Sequence, residues 1–253
     1  MTDSNLPMAG ARDKALDLLK WLAMLSMVMD HLRYVGWYAD WLYVPGRVAF
    51  PWFCLAIAVN LARSRTNAIQ PRVQWKYLTW LVVFAVVAEV PYRLFMTDEA
   101  YTLNVLPTLA LGLLVAQGWV GRSFPVRMTG GFALLAGVLF SEHLMFGFFG
   151  VLLPLAFLLV LQRSIWLAIV PGAVCLFSNA WRQILDGAQW GDPVSVGALI
   201  ACLLAPVLGM LLLRAQPPFA VLPMRRWAYA IYPAHFLLLL GLREILVALP
   251  FDA

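Results

Sequence analysis

Apolar stretches long enough to cross a membrane follow one another along almost the whole chain. A transmembrane helix needs about 20 mostly apolar residues, and 253 residues leave room for little besides such stretches and short loops. Nine spans are predicted, at residues 15–35, 44–62, 74–95, 102–120, 128–142, 145–162, 164–180, 194–213 and 227–247. The sequence therefore predicts an all-α integral membrane protein, a bundle of about nine transmembrane helices. We expect a single polytopic domain over residues 1–253, with a cytoplasmic tail at residues 1–14.

The composition argues against an ordinary soluble domain. Hydrophobic residues make up 63% of the chain and charged residues 12%, whereas about a quarter of a typical soluble domain is charged. The net charge of +5 is expected to report orientation in the lipid bilayer rather than nucleic-acid binding. Cys54, Cys175 and Cys202 lie in apolar runs without paired spacing, so we expect buried thiols and no metal site.

Basic residues alternate between loops and thereby orient the spans. They precede the first span and fill every second loop, at Arg12, Lys14, Arg63, Arg65, Arg72, Lys76, Arg122, Arg127, Arg163, Arg214, Arg225 and Arg226. The intervening loops are mainly acidic, with Arg182 as the main exception. Because cytoplasmic loops are enriched in Lys and Arg, we expect a protein of the inner membrane with a cytoplasmic N-terminus and an outer C-terminus. Spans five to seven are the hardest to delimit, since "VPGAV" at residues 170–174 is compatible with a re-entrant piece.

Polar residues on the first span indicate an internal cavity. A charge at mid-bilayer costs about 2.5–3.5 kcal/mol on insertion scales, so such residues normally face a bundle interior or a wet cavity. Lys20 and His31 are eleven residues apart, which places them about 20° apart around a helix and about 16 Å apart along its axis. Met24, Met27 and Val28 fill the same face between them. This stripe is typical of a narrow apolar channel wall that is polar at each end.

The last span repeats this combination of aromatic residues and histidine. In "RRWAYAIYPAHF", Tyr229, Tyr232 and His235 follow one another at intervals of three and so share one side of a helix. An aromatic belt at the membrane interface is the alternative interpretation. His235 favours the internal site, because it is predicted to lie deeper than a belt residue.

Several segments of the chain resemble one family in order. They are "DLLKWLAMLSMVMDHL", "GRVAFPWFCLAIA", "VPYRLF", "LNVLPTLALGLL" and "RRWAYAIYPAHF". Together they resemble the TraX family of conjugal-transfer proteins, which N-acetylate pilin subunits. The chain is also similar to the wider transmembrane acyltransferase superfamily, which carries an arginine, ten residues and then a histidine in its first helix. Here Lys20 stands at the arginine position and His31 at the histidine position.

The resemblance implies an acetyltransferase that uses acetyl-CoA as donor, and neither a metal nor a haem. We expect His31 to deprotonate the acceptor or to carry the acetyl group, with Asp30 or Glu142 orienting it. Lys20 or Arg47 would stabilise negative charge on the thioester oxygen or the thiolate. The residues expected to bind the donor are Arg63, Arg65, Arg225, Arg226, Tyr232 and His235. Those expected near the acceptor are Glu89, Arg93, Asn104 and His143.

Other interpretations of the same residues remain open at this point. Asp30 can pair with Arg33 or Arg47 across a helix contact instead of acting on His31. Arg33, Arg93 and Arg243 can simply extend their side chains to the interface, and the basic loops can serve topology alone. A substrate permease would also use intramembrane charges, and a redox carrier would bind haem between His31 and His143. The acceptor can be a peptide N-terminus, as in a pilin, or a small molecule such as a siderophore or a sugar.

Overall fold

The described part of the chain is mainly helical. The computed structural model describes residues 13–36, 39–67, 74–97, 100–161, 163–215 and 217–248, with residues 64–67 described by their backbone only. Its helices are α1 (Lys14–Leu32), α2 (Tyr43–Gly46), α3 (Ala49–Asn67), α4 (Trp75–Met96), α5 (Val105–Val120), α6 (Phe124–Leu139), α7 (Gly147–Val160), α8 (Ile169–Ser178), α9 (Trp181–Gln189), α10 (Pro193–Arg214) and α11 (Ile231–Ala248). Short 3-10 segments cover Arg33–Val35, Asp40–Leu42, Ser141–His143, Ile165–Ala168 and Arg226–Ala230. Within the described residues no strand forms, and one isolated bridge pairs Leu103 with Leu144.

Helices occupy all nine predicted segments, but their lengths do not confirm nine membrane spans. Four described stretches are long and apolar enough to cross a membrane, at Asp40–Arg63, Trp75–Met96, Pro193–Arg214 and Arg226–Ala248. A fifth span is possible if one bent helix pair is counted as a single crossing. α5, α6 and α7 are apolar but shorter, and α1 carries Asp17, Lys20 and Asp30. The chain is therefore a multi-pass membrane protein, and its described residues include four or five spans identified by length and composition.

The bent pair lies in the region where a re-entrant piece was expected. The stretch Ile165–Ser178 meets α9 at an angle of 97°. The bend does not fall at "VPGAV", which lies inside α8; Gly172 instead permits close packing, because a Cβ there would lie 2.9 Å from the Leu203 carbonyl oxygen of α10. The break falls at Asn179, whose side-chain amide donates to the Cys175 carbonyl at 2.7 Å and so caps the end of α8.

Five elements enclose the interior that matters for function. α1 packs against α3 and α11, α11 packs against α4, and α4 packs against α5. α7, α8 and α10 form a neighbouring group, which joins this one through α3, packed against α7 and α10, and through α5, packed against α7. Trp52 of α3 fixes that junction, since its indole N–H donates to the Ala205 carbonyl of α10 at 2.7 Å. The three cysteines are buried and free, as expected.

Candidate functional site

A cavity of about 410 Å³ lies between α1, α3, α4, α5 and the segment leading into α11. Lys20, Met24 and Met27 line it, so the predicted stripe forms a cavity wall from Lys20 to Met27, whereas His31, its other polar end, does not line the cavity. Val28, which was expected on the same wall, is not among the lining residues.

The two ends of the cavity differ in chemistry. Its polar end is formed by Lys20, Asn60, Gln74, Arg225 and Arg226, and its apolar end by Met27, Phe53, Leu81, Val105 and Tyr232. On α1 the two ends are separated by seven residues, which corresponds to about 10 Å along the helix axis. Positive charge is therefore concentrated at one end, and the passage from it is walled mainly by apolar side chains.

Two histidines meet one helical turn beyond the apolar end. His31 Nδ1 lies 3.0 Å from His235 Nε2, and His235 Nδ1 is hydrogen-bonded to the Tyr232 backbone carbonyl. A carbonyl oxygen only accepts, so the hydrogen of neutral His235 sits on Nδ1 and its Nε2 is an acceptor. With both rings neutral, His31 Nδ1 donates to His235 and His31 Nε2 keeps its lone pair. The pair therefore holds His31 in the tautomer that a general base requires.

The contact corrects the predicted depth of His235. Residue counting within the predicted spans 15–35 and 227–247 puts His31 near the outer end of its span and His235 in the inner half. In the structure the ring centroids are 5.0 Å apart. Part of the difference comes from the 3-10 segment Arg226–Ala230 before α11, because a 3-10 helix rises about 2.0 Å per residue rather than 1.5 Å.

Aromatic rings surround the histidine pair. The Phe236 ring centroid lies 4.9 Å from that of His31 and 4.0 Å from that of His235. Phe95 presents an edge to His31 at 6.4 Å. His235 is buried, whereas His31 is half-buried. His31 is thus the member of the pair with accessible surface.

Tyr232 brings a hydroxyl group to the apolar end. Its oxygen accepts the Val105 N–H of α5 at 3.3 Å, and its side chain is buried. Val105 is the donor in this hydrogen bond, and no described residue accepts the hydroxyl hydrogen of Tyr232. This hydrogen therefore remains available to a bound molecule.

Asp30 and Arg47 belong to a separate ion cluster rather than to the histidine pair. Arg47 Nη2 lies 3.0 Å from Asp30 Oδ2, and Arg33 Nε lies 3.4 Å from Asp30 Oδ1. Arg47 also donates to the Asn179 side-chain oxygen. Gly46 makes room for the carboxylate, because a Cβ there would lie within 2.6 Å of Asp30 side-chain atoms. Asp30 therefore balances two guanidinium groups and is not brought to His31 as an orienting acid.

Glu89, Arg93 and Asn104 form a second cluster that fastens the start of α5. Glu89 accepts from Arg93 Nε at 2.8 Å and from the Asn104 side-chain amide at 2.7 Å. The Asn104 side-chain oxygen accepts the Leu106 N–H at 3.0 Å and so caps α5. Arg93 also donates to the Ala100 carbonyl at 2.9 Å. The three residues were expected to bind the acetyl acceptor. They are instead bonded to one another, and none of them lines the cavity.

The remaining predicted residues lie elsewhere. Glu142 and His143 are exposed in a 3-10 segment, so Glu142 is not placed to orient His31, and His143 does not form the histidine pair. Arg63 is ion-paired with Asp13, the residue that caps α1. The Arg65 side chain is outside the described residues. Arg63 does not line the cavity, whereas Arg225 and Arg226 do.

The family of the chain follows from a comparison with known families. A sequence model described as "TraX protein" matches residues 15–243, from the first turn of α1 to the last third of α11. The chain belongs to the TraX family. Searches of curated proteins and of solved structures found no significant match.

The TraX match includes every residue that lines the cavity, both histidines and both ion clusters. Three polar lining residues of this TraX family member were not singled out from the sequence: Asn60, Gln74 and Tyr77. Asn60 could have been predicted as a cavity residue from the sequence, because it is a polar residue inside an otherwise apolar span. Gln74 and Tyr77 sit at the start of α4, where polar and aromatic residues are also typical of a membrane interface.

Proposed function

We propose that this TraX family member is a membrane-embedded acyltransferase that moves an acetyl group from acetyl-CoA to an amine or hydroxyl acceptor. The observation that carries the proposal is the cavity that runs from a basic end towards a pair of hydrogen-bonded histidines. Family membership supports it, because the TraX family is associated with acetylation of pilin subunits.

The polar end suits the charged part of the donor. Phosphate oxygens form strong, charge-assisted hydrogen bonds with Arg and Lys, and Lys20, Arg225 and Arg226 are grouped there. With the N-terminus in the cytoplasm, as the positive-inside pattern predicts, this end faces the compartment that contains CoA. The apolar walls then accommodate the pantetheine arm and direct its thioester towards the histidine pair.

His31 is the proposed general base. Its Nε2 takes the proton of the acceptor amine or hydroxyl while the acceptor atom forms a bond to the acetyl carbonyl carbon. The carbon–sulfur bond then breaks, the electron pair stays on sulfur, and the proton held by His31 neutralises the CoA thiolate. The products are the acetylated acceptor and CoA. A covalent acetyl-histidine, the other role expected for His31, requires the same free Nε2.

His235 acts on His31 rather than on the donor. It holds His31 Nδ1 through a 3.0 Å contact and is itself fixed by the Tyr232 carbonyl. A partner that fixes the tautomer and orientation of a catalytic imidazole plays the part of the third residue in a hydrolase triad. We therefore propose His235 as a positioning residue.

Mass spectrometry tests the function directly. The purified protein in detergent is incubated with isotope-labelled acetyl-CoA and candidate acceptors, namely a pilin-like peptide with a free N-terminus, an amino sugar and a hydroxamate siderophore. We expect label on at least one acceptor together with an equal amount of free CoA. The proposal is rejected if the protein neither binds acetyl-CoA in a calorimetric titration nor labels any acceptor.

The His31→Ala variant tests the assigned base. Loss of a general base typically lowers the rate by about 10²–10⁴-fold, while binding of acetyl-CoA should persist. Leu25→Ala is the matched control, because Leu25 is an exposed residue of the same helix. His235→Ala should give a smaller loss of rate than His31→Ala. Near-normal turnover of His31→Ala alongside an inactive His235→Ala would transfer the base role to His235.

A further inference from the structure

Acetyl transfer needs a hydrogen-bond donor at the thioester oxygen, and neither cation expected there is in place. When the acceptor attacks, negative charge develops on the carbonyl oxygen, and donors aimed at that position often give the largest catalytic effect. Lys20 lies at the opposite, polar end of the cavity. Arg47 is occupied by Asp30 and Asn179.

Tyr232 has the geometry that this role requires. It lines the apolar end of the cavity and lies one helical turn before His235, with the two ring centroids 5.5 Å apart. A thioester brought to the histidine pair from the polar end therefore passes the Tyr232 ring. The hydroxyl hydrogen of Tyr232 has no acceptor among the described residues, and its side chain is shielded from solvent.

The start of α5 strengthens Tyr232 as a donor. Val105 is the first residue of α5, and its N–H points at the Tyr232 oxygen from 3.3 Å. The first N–H groups of a helix carry the positive end of its dipole. A hydroxyl group that accepts such a hydrogen bond is polarised and donates its own hydrogen more strongly. The capped end of α5 thus contributes to the site through the tyrosine oxygen.

We infer that the Tyr232 hydroxyl donates a hydrogen bond to the acetyl carbonyl oxygen and stabilises the tetrahedral intermediate. The inference rests on the proposed acetyl transfer. The acceptor atom bonds to the carbonyl carbon, the carbon–oxygen π pair moves onto the oxygen, and Tyr232 stabilises that charge. The pair then returns to reform the carbonyl as the bond to the CoA sulfur breaks. No oxidant, reductant or further reactant is consumed.

Tyr232→Phe in the full-length protein tests the inference. Removing one donor to an oxyanion typically lowers kcat by about 10²–10³-fold, so we expect the single-turnover rate of acetyl transfer to fall by about that factor. Affinity for S-ethyl-CoA, a thioether without the carbonyl oxygen, should stay within about twofold. The reason is that the hydroxyl group stabilises the transition state and does not contribute to binding of the ground state. A structural role would instead lower that affinity or the unfolding temperature.

Tyr92→Phe is the matched control. Tyr92 is equally buried, packs against Phe236 at 5.6 Å and does not line the cavity. It undergoes the same loss of a hydroxyl group and should keep its transfer rate. A Tyr232→Phe rate equal to that of the wild type or of Tyr92→Phe overturns the inference. If the wild-type protein itself transfers no acetyl group, it is the proposed function that fails.

Discussion

The cavity and the two ion clusters use polar side chains in opposite ways. In the clusters, Asp30 is shared by Arg33 and Arg47, and Glu89 is shared by Arg93 and Asn104. Around the cavity, the side chains assigned to the site keep hydrogen-bonding groups or charges free for a ligand. The His31 lone pair and the Tyr232 hydroxyl hydrogen have no partner among the described residues, and Arg225 and Arg226 are exposed.

The difference shows why a charge inside a span does not by itself mark a reaction site. Burying an ion is costly unless it is paired, and in each cluster the carboxylate is paired with arginine. Asp30 Oδ1 and Arg33 Nε, 3.4 Å apart, form an ion pair without a hydrogen bond. A group that is already satisfied gains little from binding a ligand. A group that is held in place but keeps one hydrogen-bond donor or acceptor free is able to bind a ligand. That property distinguishes the cavity from the clusters.

The largest effect on folding is expected at Asp30. Asp30→Ala leaves the Arg47 charge without its carboxylate, and breaking a buried ion pair in this way typically costs about 3–5 kcal/mol. Chemical denaturation in detergent should show this loss in the free energy of unfolding. The rate of acetyl transfer per folded molecule should change much less.

Two further observations decide how Asp30 is interpreted. Asp30→Ala combined with Arg47→Met removes both charges, and it should recover part of the lost stability because no ion is then left unpaired. A collapse of the transfer rate with unchanged stability would return Asp30 to the catalytic role expected from the sequence.

A smaller loss is expected in the second cluster. Glu89→Gln removes the charge that Arg93 and the Asn104 amide bond to, and hydrogen bonds to charged groups are worth about 1.5–3 kcal/mol. The free energy of unfolding should fall by about that amount, and amide exchange at the start of α5 should become faster. Glu244→Gln is the control, since Glu244 is an exposed carboxylate on α11. Equal stability of the two variants would mean that the cluster does not fasten α5.

Much of the fold was predictable because membrane insertion leaves few alternatives. Lipid-exposed backbone must satisfy its hydrogen bonds within helices, so apolar runs directly predicted helices at all nine positions. The number of crossings was less predictable. α5, α6 and α7 have 16, 16 and 14 residues, which correspond to about 24, 24 and 21 Å, below the 30 Å of a typical hydrocarbon core.

The site was predictable where a single helix decides it. Helical periodicity correctly placed Lys20, Met24 and Met27 on one cavity wall. The meeting of His31 with His235 depends on how α1 and α11 are shifted along each other, and residue counting within each span does not fix that shift. The pairing of Asp30 with Arg33 and Arg47 was one of two alternatives predicted from the sequence, and it is the one that the structure shows. Residue type therefore indicated candidates, whereas tertiary packing decided which of them share a site.

The smallest effect is expected at the polar end of the cavity. Arg225 and Arg226 are exposed, and Arg226 lies 5.8 Å above the Trp80 ring. Exposed ion pairs contribute about 0.2–1 kcal/mol each, so the double variant Arg225→Gln/Arg226→Gln should weaken acetyl-CoA binding by about two- to thirtyfold. Its folded structure and its rate at saturating donor should stay close to those of the wild type, because neither arginine reaches the histidine pair.

Salt and a second pair of arginines separate this effect from net charge. The Debye screening length falls from about 10 Å at 0.1 M salt to about 3 Å at 1 M. The difference in Kd between the double variant and the wild type should therefore shrink at high salt. Arg122→Gln/Arg163→Gln removes the same charge from two exposed residues that do not line the cavity, and it should leave Kd unchanged at both salt concentrations. Equal weakening in the two double variants would show that the arginines act through overall charge. If neither double variant weakens acetyl-CoA binding, Arg225 and Arg226 serve only to orient the protein in the membrane. The donor phosphates would then depend on Lys20.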